Sequence, residues 1–257
     1  MLDEVSLNLK CSKSEWKEKR NRLQDGLYNL ARACRDHRVP VLILLEGWDA
    51  AGKGKCINYL AERQDPRGLK AEFFSEPRSN DLLYPWLWRF WQRLPAYGEI
   101  TIFDTSWYRR LFWERPEGKI SAEEAAEAPG DILQMERQLH ADGMLILKFW
   151  LHISRQEQAR RFQEIQEKGA LRFRVTEQEW VRNRNYETYK TIIDGSLQTT
   201  HTPANPWWII PATDQRYATL QIMERSLLVI SEMLEKKKIP IVEQRWSADD
   251  PGRRQDR

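Results

Sequence analysis

The chain has 257 residues, 41% of them hydrophobic and 31% charged, which is typical of a folded globular protein and suits one α/β domain or two small domains. The formal net charge is only +3, so the composition gives no reason to expect a nucleic-acid partner. The longest apolar runs, Val41–Leu45 and Met144–Leu147, are far shorter than a membrane span, so no membrane partner is expected.

The first elements along the chain form the pattern helix, strand, loop, helix. Apolar residues recur at three-, four- and seven-residue intervals over residues 14–37 and predict a helix with Ser14 as its N-cap. The continuous apolar run Val41–Leu45 is typical of a strand buried on both faces of a parallel sheet. A loop at Gly47–Gly54 and a helix at Lys55–Gln64 follow.

The rest of the chain alternates predicted strands and helices. Four further strands are predicted, at residues 71–75, 100–103, 145–153 and 207–210. Helices are predicted at residues 82–94, 131–142, 155–167, 177–194 and 214–236. Ser154 is the predicted N-cap of the helix at 155–167, and the acidic, alanine-rich stretch 116–130 is predicted to be a short helix or a mobile loop.

This alternation predicts an α/β fold with a five-stranded parallel sheet. No internal repeat or interdomain linker interrupts the pattern, so residues 1–246 are interpreted as a single domain. The strongly charged helical segment at about residues 155–195 is interpreted as a lid outside the sheet. The polar tail, residues 247–257, is expected to be disordered.

The loop after the first strand carries the phosphate-binding pattern G-x-x-x-x-G-K, known as Walker A, with Gly47, Gly52 and Lys53 at its fixed positions. Its glycines allow backbone N–H groups to converge on a phosphate, and the following helix adds a partial positive charge at its N-terminus. The lysine is expected to neutralise the migrating phosphoryl group. The predicted phosphate-binding residues are Gly47, Asp49, Ala50, Ala51, Gly52, Lys53 and Gly54.

The loop lacks the hydroxyl that usually follows its lysine and holds magnesium, because Gly54 stands in that place. Asp49 lies inside the loop instead, and a carboxylate beside phosphate is unfavourable unless a cation separates them. Asp104 directly follows an apolar strand and has the position of a second metal-binding carboxylate. The sequence therefore predicts a magnesium site held by Asp49 and Asp104, with manganese as the alternative ion.

Several motifs together resemble the polyphosphate kinase 2 family. They are Glu46–Gly54 (EGWDAAGKG), Phe103–Arg110 (FDTSWYRR) and Glu114–Arg115. Further matches follow in the same order at Asp65–Gly68, Pro85–Trp91, Lys148–Ser154, Arg160–Phe162, Arg174–Thr176 and Ile210–Ala212. Within the family the chain looks most similar to the single domains of polyphosphate:AMP phosphotransferases, which are often tandem.

The resemblance implies a P-loop kinase-like three-layer sandwich with a helical lid, and magnesium-dependent phosphoryl transfer between inorganic polyphosphate and AMP or ADP. By position it implies that Asp49 and Asp104 hold the metal and that Lys53 stabilises the transferring group. It also implies phosphate contacts from Arg110 and Arg115 and from Arg161 on the lid, with Glu114 orienting one arginine; the six catalytic residues it predicts are Asp49, Lys53, Asp104, Arg110, Arg115 and Arg161. Family members are commonly cytoplasmic homo-oligomers, dimers or tetramers.

Lys55 stands where glycine is common in the family, and three further positions lack a basic residue of the family pattern. Thr105 replaces an arginine that usually follows the metal-binding aspartate, and Gln215 and Thr219 replace a lysine and an arginine. Two alternatives therefore stay open: an ATP-dependent kinase of a small metabolite, and a catalytically impaired homologue that binds polyphosphate in a regulatory role. The preferred nucleotide and the favoured direction do not follow from the sequence. The three cysteines, Cys11, Cys34 and Cys56, have no metal-site or disulfide spacing and favour the cytoplasm.

Overall fold

The computed structural model describes residues 1–168 and 175–242, so the predicted tail at 247–257 and a short part of the predicted lid lie outside the described residues. Five strands form one sheet in the order β2-β3-β1-β4-β5, and every neighbouring pair is parallel. The strands are β1 Val41–Gly47, β2 Leu69–Phe73, β3 Ile100–Asp104, β4 Leu145–His152 and β5 Trp207–Pro211. The predicted α/β fold with a five-stranded parallel sheet is confirmed.

Strand β1 lies at the centre of the sheet, and all seven of its residues are buried, as its continuous apolar run predicts. Its first residue, Val41, pairs with Ile100 on β3 and with Leu145 on β4, so the carboxyl ends of these strands meet at one edge. The chain leaves β1 towards β2 on one side and later reaches β4 on the other. Ligands of α/β sheets bind outside the strand ends at such a reversal.

Helices cover both faces of this sheet. Helix α8 packs against α1 and α2, whereas α4 packs against α7 and against a π-helical turn at Arg110–Glu114. The α-helices of the described residues are α1 Lys13–Asp36, α2 Lys53–Ala61, α3 Trp88–Trp91, α4 Ala122–Ala141, α5 Arg155–Glu167, α6 Glu177–Arg184, α7 Tyr186–Thr200 and α8 Gln215–Lys236. No helix among them combines the length and apolar character needed to cross a membrane.

Two predictions about helices in the N-terminal half of the chain were wrong. Helix α1 is capped by Ser12 rather than Ser14, because the Ser12 hydroxyl accepts the backbone N–H of Glu15 at 3.1 Å. The aromatic segment predicted as a helix over 82–94 forms a 3₁₀ turn at Asp81–Leu83 and only one α-helical turn, α3. Tyr84 is held extended (φ −126°, ψ 161°) because the ring of the following proline disfavours helical backbone there.

Two helix boundaries in the second half also differ from prediction. Helix α4 starts at Ala122 and runs through Pro129, because a capping box between Ser121 and Glu124 fixes its start and burial of Ile132 outweighs one lost backbone bond. The predicted helix 177–194 is divided into α6 and α7 at Asn185, whose side-chain amide donates to Val181 O at 3.0 Å.

Helix α7 differs in burial from the charged helices before it. Its Tyr189, Ile193 and Leu197 are buried in the main hydrophobic core, whereas α5 and α6 bury few residues. The lid boundaries at about 155–195 stay a prediction, and only α5 and α6 have the polar surface that such a lid is expected to have.

Candidate active site

The phosphate-binding pattern forms a tight loop between β1 and α2. The backbone is left-handed at Ala50 (φ 59°) and Gly52 (φ 102°), and α2 begins at Lys53, two residues earlier than predicted. The φ of 102° at Gly52 favours glycine, and a Cβ there would also lie 1.7 Å from the side-chain oxygen of Gln215, which would have to move. The loop therefore turns sharply and ends at a helix N-terminus, which favours anion binding.

Trp48 anchors the loop to the protein interior. Its indole is fully buried, stacks on Tyr186 with ring centroids 4.2 Å apart, and donates from Nε1 to His152 Nδ1 at 3.1 Å. His152 lies at the end of β4, so this bond ties the loop to the central sheet. Sequence reasoning assigned His152 no role, and the structure gives it a structural one.

Burial of His152 makes stability depend on pH. Burial, reinforced by nearby Lys190, lowers the pKa of His152 to about 4, against an ordinary value of 6.5. A group whose pKa falls on folding stabilises the protein above its unfolded pKa and loses that contribution as pH falls, here between 6.5 and 4. Wild type should lose about 3 kcal/mol of unfolding free energy between these pH values because of this group. We expect His152→Gln, which keeps an acceptor but cannot be protonated in this range, to lack that pH-dependent loss. Urea unfolding of both proteins at pH 6.5 and 4 measures it, and parallel losses would contradict the assignment.

The two predicted metal ligands line one cavity. Asp49, Asp104 and loop residues Ala50 to Gly54 surround about 250 Å³ of space. Asp104 Oδ1 is buried and has no hydrogen-bond partner, and burial, opposed by Lys53, raises the pKa of this carboxyl. An unpartnered buried carboxylate oxygen beside a second carboxylate fits a hard cation such as Mg²⁺. The described residues contain no cluster of three or more metal-binding side chains, so other ligands would come from substrate and water.

Lys53 and Glu46 complete this part of the site. Lys53 Nζ donates to Gly47 O at 3.3 Å, which holds the ammonium group over the loop. Glu46 is buried at the end of β1 and accepts 2.7 Å bonds from both the backbone N–H and the hydroxyl of Ser106. Burial raises the pKa of Glu46 to about 7, although the Ser106 bonds oppose this. Glu46 thus fixes the turn that follows Asp104, a role that its place in the motif did not reveal.

A second cavity of about 290 Å³ lies beyond the end of β3 and is lined by three arginines, Arg89, Arg109 and Arg110. Their side chains are only 12–13% exposed. Glu114 lies 3.3 Å from Arg109 and 3.8 Å from Arg110, as expected of a carboxylate that orients an arginine. Asp81, Glu114 and Glu124 line the same cavity and pair with these arginines, so a phosphate group would bind there by replacing a carboxylate on a guanidinium.

Aromatic side chains form the other walls of this cavity. Arg110 lies 4.9 Å from the Trp86 ring, and Tyr84 stacks on Trp88 with ring centroids 3.9 Å apart. Flat apolar surfaces beside cationic groups suit a ligand that combines a ring with phosphate. Trp107, another lining residue, is fully buried and acts as core.

The remaining predicted catalytic arginines have different surroundings. Arg115 follows the π-helical turn and is exposed. All N–H donors of Arg161 bind protein groups, at 2.7–3.0 Å. Nε donates to Glu157, Nη1 donates to the carbonyls of Ala50 and Ala51, and Nη2 donates to those of Ala212 and Thr213. With five donors engaged, Arg161 holds the phosphate loop against the end of β5 rather than pointing a free N–H at a ligand.

Arg182 on α6 is a site residue that sequence reasoning missed. Its Nη1 lies 3.1 and 3.3 Å from the carboxylate oxygens of Asp49, and its Nη2 lies 2.7 Å from Glu117. Gln158 on α5 donates to the backbone carbonyl of Asp49 at 3.2 Å. Both predicted lid helices therefore contact the same loop residue. Nothing in the sequence around Arg182 distinguishes it from its charged neighbours.

The three positions that lack a basic residue of the family pattern are structurally distinct. Gln215 donates to Gly52 O at 3.2 Å and so supports the loop, whereas Thr219 donates to the Gln215 carbonyl within α8. Thr105 is buried and adopts left-handed backbone (φ 65°), which is uncommon for a β-branched residue. Strain at the residue after Asp104 is typical of a functional turn.

A buried polar network supports the segment that carries the arginines. Lys148 on β4 is fully buried and donates to Glu136 at 2.9 Å, Tyr108 at 3.0 Å and Thr200 O at 2.8 Å. Tyr108, immediately before Arg109, donates to the other oxygen of Glu136 at 2.7 Å. This network fixes the backbone between Asp104 and the arginine-lined cavity.

Comparison with known proteins bears on what this site does. The profile of the family described as Polyphosphate kinase 2 (PPK2) matches residues 10–238. A polyphosphate:AMP phosphotransferase of Pseudomonas syringae pv. tomato is 35% identical over 236 residues, which are 92% of this chain and 47% of that protein. An ADP-polyphosphate phosphotransferase of Pseudomonas aeruginosa is 33% identical over 206 residues, 80% of this chain and 68% of that protein.

The fold is also similar to that of a solved structure. A crystal structure described as a polyphosphate kinase 2 of Pseudomonas aeruginosa superposes with a TM-score of 0.88 at 32% identity and covers 91% of this chain and 50% of that chain. The chain spans about half the length of the polyphosphate:AMP phosphotransferases that it matches.

Proposed function

Because the chain belongs to the polyphosphate kinase 2 family, we propose that it transfers phosphoryl groups between inorganic polyphosphate and a nucleoside mono- or diphosphate, AMP or ADP. The observation that carries the proposal is one cavity in which a phosphate loop meets two carboxylates, with an arginine-lined cavity beyond the neighbouring strand. Relatives named for transfer from polyphosphate to AMP or ADP support it.

We assign the two cavities to the two substrates. The loop cavity takes the phosphoryl group that migrates, because Lys53 and the α2 N-terminus supply positive charge there. The arginine-lined cavity takes the nucleotide, with Arg109 and Arg110 at its phosphates and the aromatic surface of Trp86 near the ring system. The exposed Arg115 is the residue whose predicted phosphate contact the described geometry supports least.

We propose that Asp49 and Asp104 hold Mg²⁺, with Mn²⁺ as the alternative. The ion would neutralise negative charge on the phosphates. Lys53 stabilises the transferring group, Glu46 fixes the turn behind Asp104, and Arg161 keeps the loop in place. Phosphoryl transfer needs no covalent enzyme intermediate, because positioning and electrostatic stabilisation are sufficient.

We also propose that the protein is a cytoplasmic homo-oligomer, a dimer or a tetramer. Its three cysteines are free and buried, as suits a reducing compartment. Phe73 on the edge strand β2 is 70% exposed, and Leu82 and Leu83 are 73% and 77% exposed. Large exposed apolar side chains near an edge strand are typical of a contact between subunits.

Donor competition tests the proposal. Purified protein is incubated with Mg²⁺, with polyphosphate or ATP as donor and AMP or ADP as acceptor, and the nucleotides are separated by chromatography. We expect a nucleotide product that requires polyphosphate. No product from polyphosphate, together with ATP that displaces polyphosphate from the site, would favour the ATP-dependent kinase of a small metabolite, and polyphosphate binding by calorimetry without product would favour a regulatory homologue.

The activity of a Thr105→Arg variant tests whether the chain is catalytically impaired. Because Arg89, Arg109 and Arg110 already place three guanidinium groups in the arginine-lined cavity, we expect Thr105→Arg to raise kcat less than about tenfold. Steady-state rates of both proteins with polyphosphate give the ratio. A gain of about a hundredfold or more would identify Thr105 as a lesion and would favour the impaired homologue.

A further inference from the structure

Arg182 places a fixed positive charge on a predicted metal ligand. Its guanidinium contacts both carboxylate oxygens of Asp49, at 3.1 and 3.3 Å. The side chain is only 9% exposed and lies 4.7 Å from the Trp113 ring. Arginine stays protonated in proteins, so the guanidinium is a permanent counter-ion of the loop carboxylate.

Arg182 also joins the phosphate loop to the arginine-lined cavity through a chain of ion pairs. Its Nε and Nη2 contact Glu117 at 2.8 and 2.7 Å. Lys119 pairs with Glu117 at 2.8 Å and with Glu76, which in turn pairs with Arg109 at 3.3 Å. Charges thus alternate in sign from Asp49 to the cavity assigned to the nucleotide.

The pairing conflicts with a cation at the same carboxylate. The guanidinium nitrogen Nη1 lies within 3.3 Å of both oxygens of Asp49, so it places a positive charge where a divalent cation would also bind, and two cations at one carboxylate repel each other. Asp104 Oδ1 is buried and has no such partner. The two carboxylates therefore differ: Asp104 has an unpartnered oxygen, and Asp49 is paired within the protein.

We propose that Arg182 competes with the divalent cation for Asp49, so that cation binding releases helix α6 from the phosphate loop. The inference rests on the proposed function in assigning Asp49 to the cation. Before binding, Arg182 neutralises Asp49 and holds α6 on the loop. When the cation takes the carboxylate, Arg182 retains Glu117 and the Trp113 ring, and α6 loses the side-chain bond to the loop that the described residues show. Arg182 is thus a positioning residue that couples the lid to cation loading.

Cation binding without substrate tests the competition. Mn²⁺ binding to the full chain is measured by electron paramagnetic resonance for wild type, Arg182→Gln and Arg184→Gln. Arg184 is a matched control on the same helix, because it is exposed and pairs with Glu177. We expect Arg182→Gln to bind Mn²⁺ about tenfold more tightly and Arg184→Gln to match wild type, because removing a competitor raises the fraction of binding-competent sites. Adding Asp49→Asn to Arg182→Gln should abolish the gain.

Equal or weaker Mn²⁺ binding by Arg182→Gln would overturn the inference. Hydrogen exchange of wild type gives a second test that needs no variant: Mn²⁺ should speed exchange of the α6 amides, and unchanged exchange would overturn the coupling. Neither readout involves turnover. Tighter Mn²⁺ binding in a protein that forms no nucleotide would therefore refute the proposed function and leave the competition intact.

Discussion

Lys53→Ala is expected to lower the rate of polyphosphate-dependent transfer by about 10³-fold, because it removes the ammonium group that stabilises charge on the migrating phosphoryl group. The fold should survive, since the described contact of this side chain is one 3.3 Å bond to Gly47 O, and the free energy of unfolding should change by less than about 1 kcal/mol. Rates and urea unfolding curves are measured on the same preparation.

Lys236→Ala is the control for Lys53→Ala. Lys236 is exposed at the end of α8, and α8 starts beside the phosphate loop at Gln215. A helix of this length extends about 30 Å, so the control removes a lysine far from the site. It should keep its full rate. Equal rates for wild type and Lys53→Ala would contradict the role given to the loop.

Lys148→Met is expected to have the largest effect on stability, about 3–5 kcal/mol, because it leaves the Glu136 carboxylate buried without its cation. Lys148 is fully buried, and burial lowers its pKa, although Glu136 opposes this. The ammonium group also binds Tyr108 and the carbonyl of Thr200. Urea unfolding measures the loss.

A double-mutant cycle separates the ion pair from packing. Glu136→Gln alone leaves Lys148 buried without its counter-ion, and combining it with Lys148→Met removes both ionisable groups while the amide still accepts from Tyr108. The double variant should be more stable than the sum of the single losses predicts. A loss below about 1 kcal/mol for Lys148→Met, or strict additivity, would show that this buried pair does not hold the segment in place.

The strands and the phosphate loop could be predicted because their signals are local. Val41–Leu45 is uniformly apolar, and Gly47, Gly52 and Lys53 keep a fixed spacing that the loop geometry requires. The same reasoning failed where a nearby signal competed. Pro85 broke the aromatic helix, whereas Pro129 did not break α4, because a capping box and core burial compensate there.

The rest of the site depends on contacts between distant residues. Arg182 and Asp49 are 133 positions apart, and nothing near Arg182 predicts that it is buried against the loop. Arg161 was correctly placed near the loop by the motif, but only the structure shows that its five donors bind carbonyls and Glu157. Left-handed backbone at Thr105 has no sequence signal, because threonine rarely adopts it.

Transfer of label from polyphosphate is the most direct test of the central claim. The protein is incubated with ³²P-labelled polyphosphate, Mg²⁺ and unlabelled AMP or ADP, and the nucleotides are separated and counted. The account predicts label in the newly formed nucleotide, lost on chelation of Mg²⁺ and nearly absent with Lys53→Ala. Nucleotide that stays unlabelled with the wild-type protein, or equal labelling by wild type and Lys53→Ala, would contradict it.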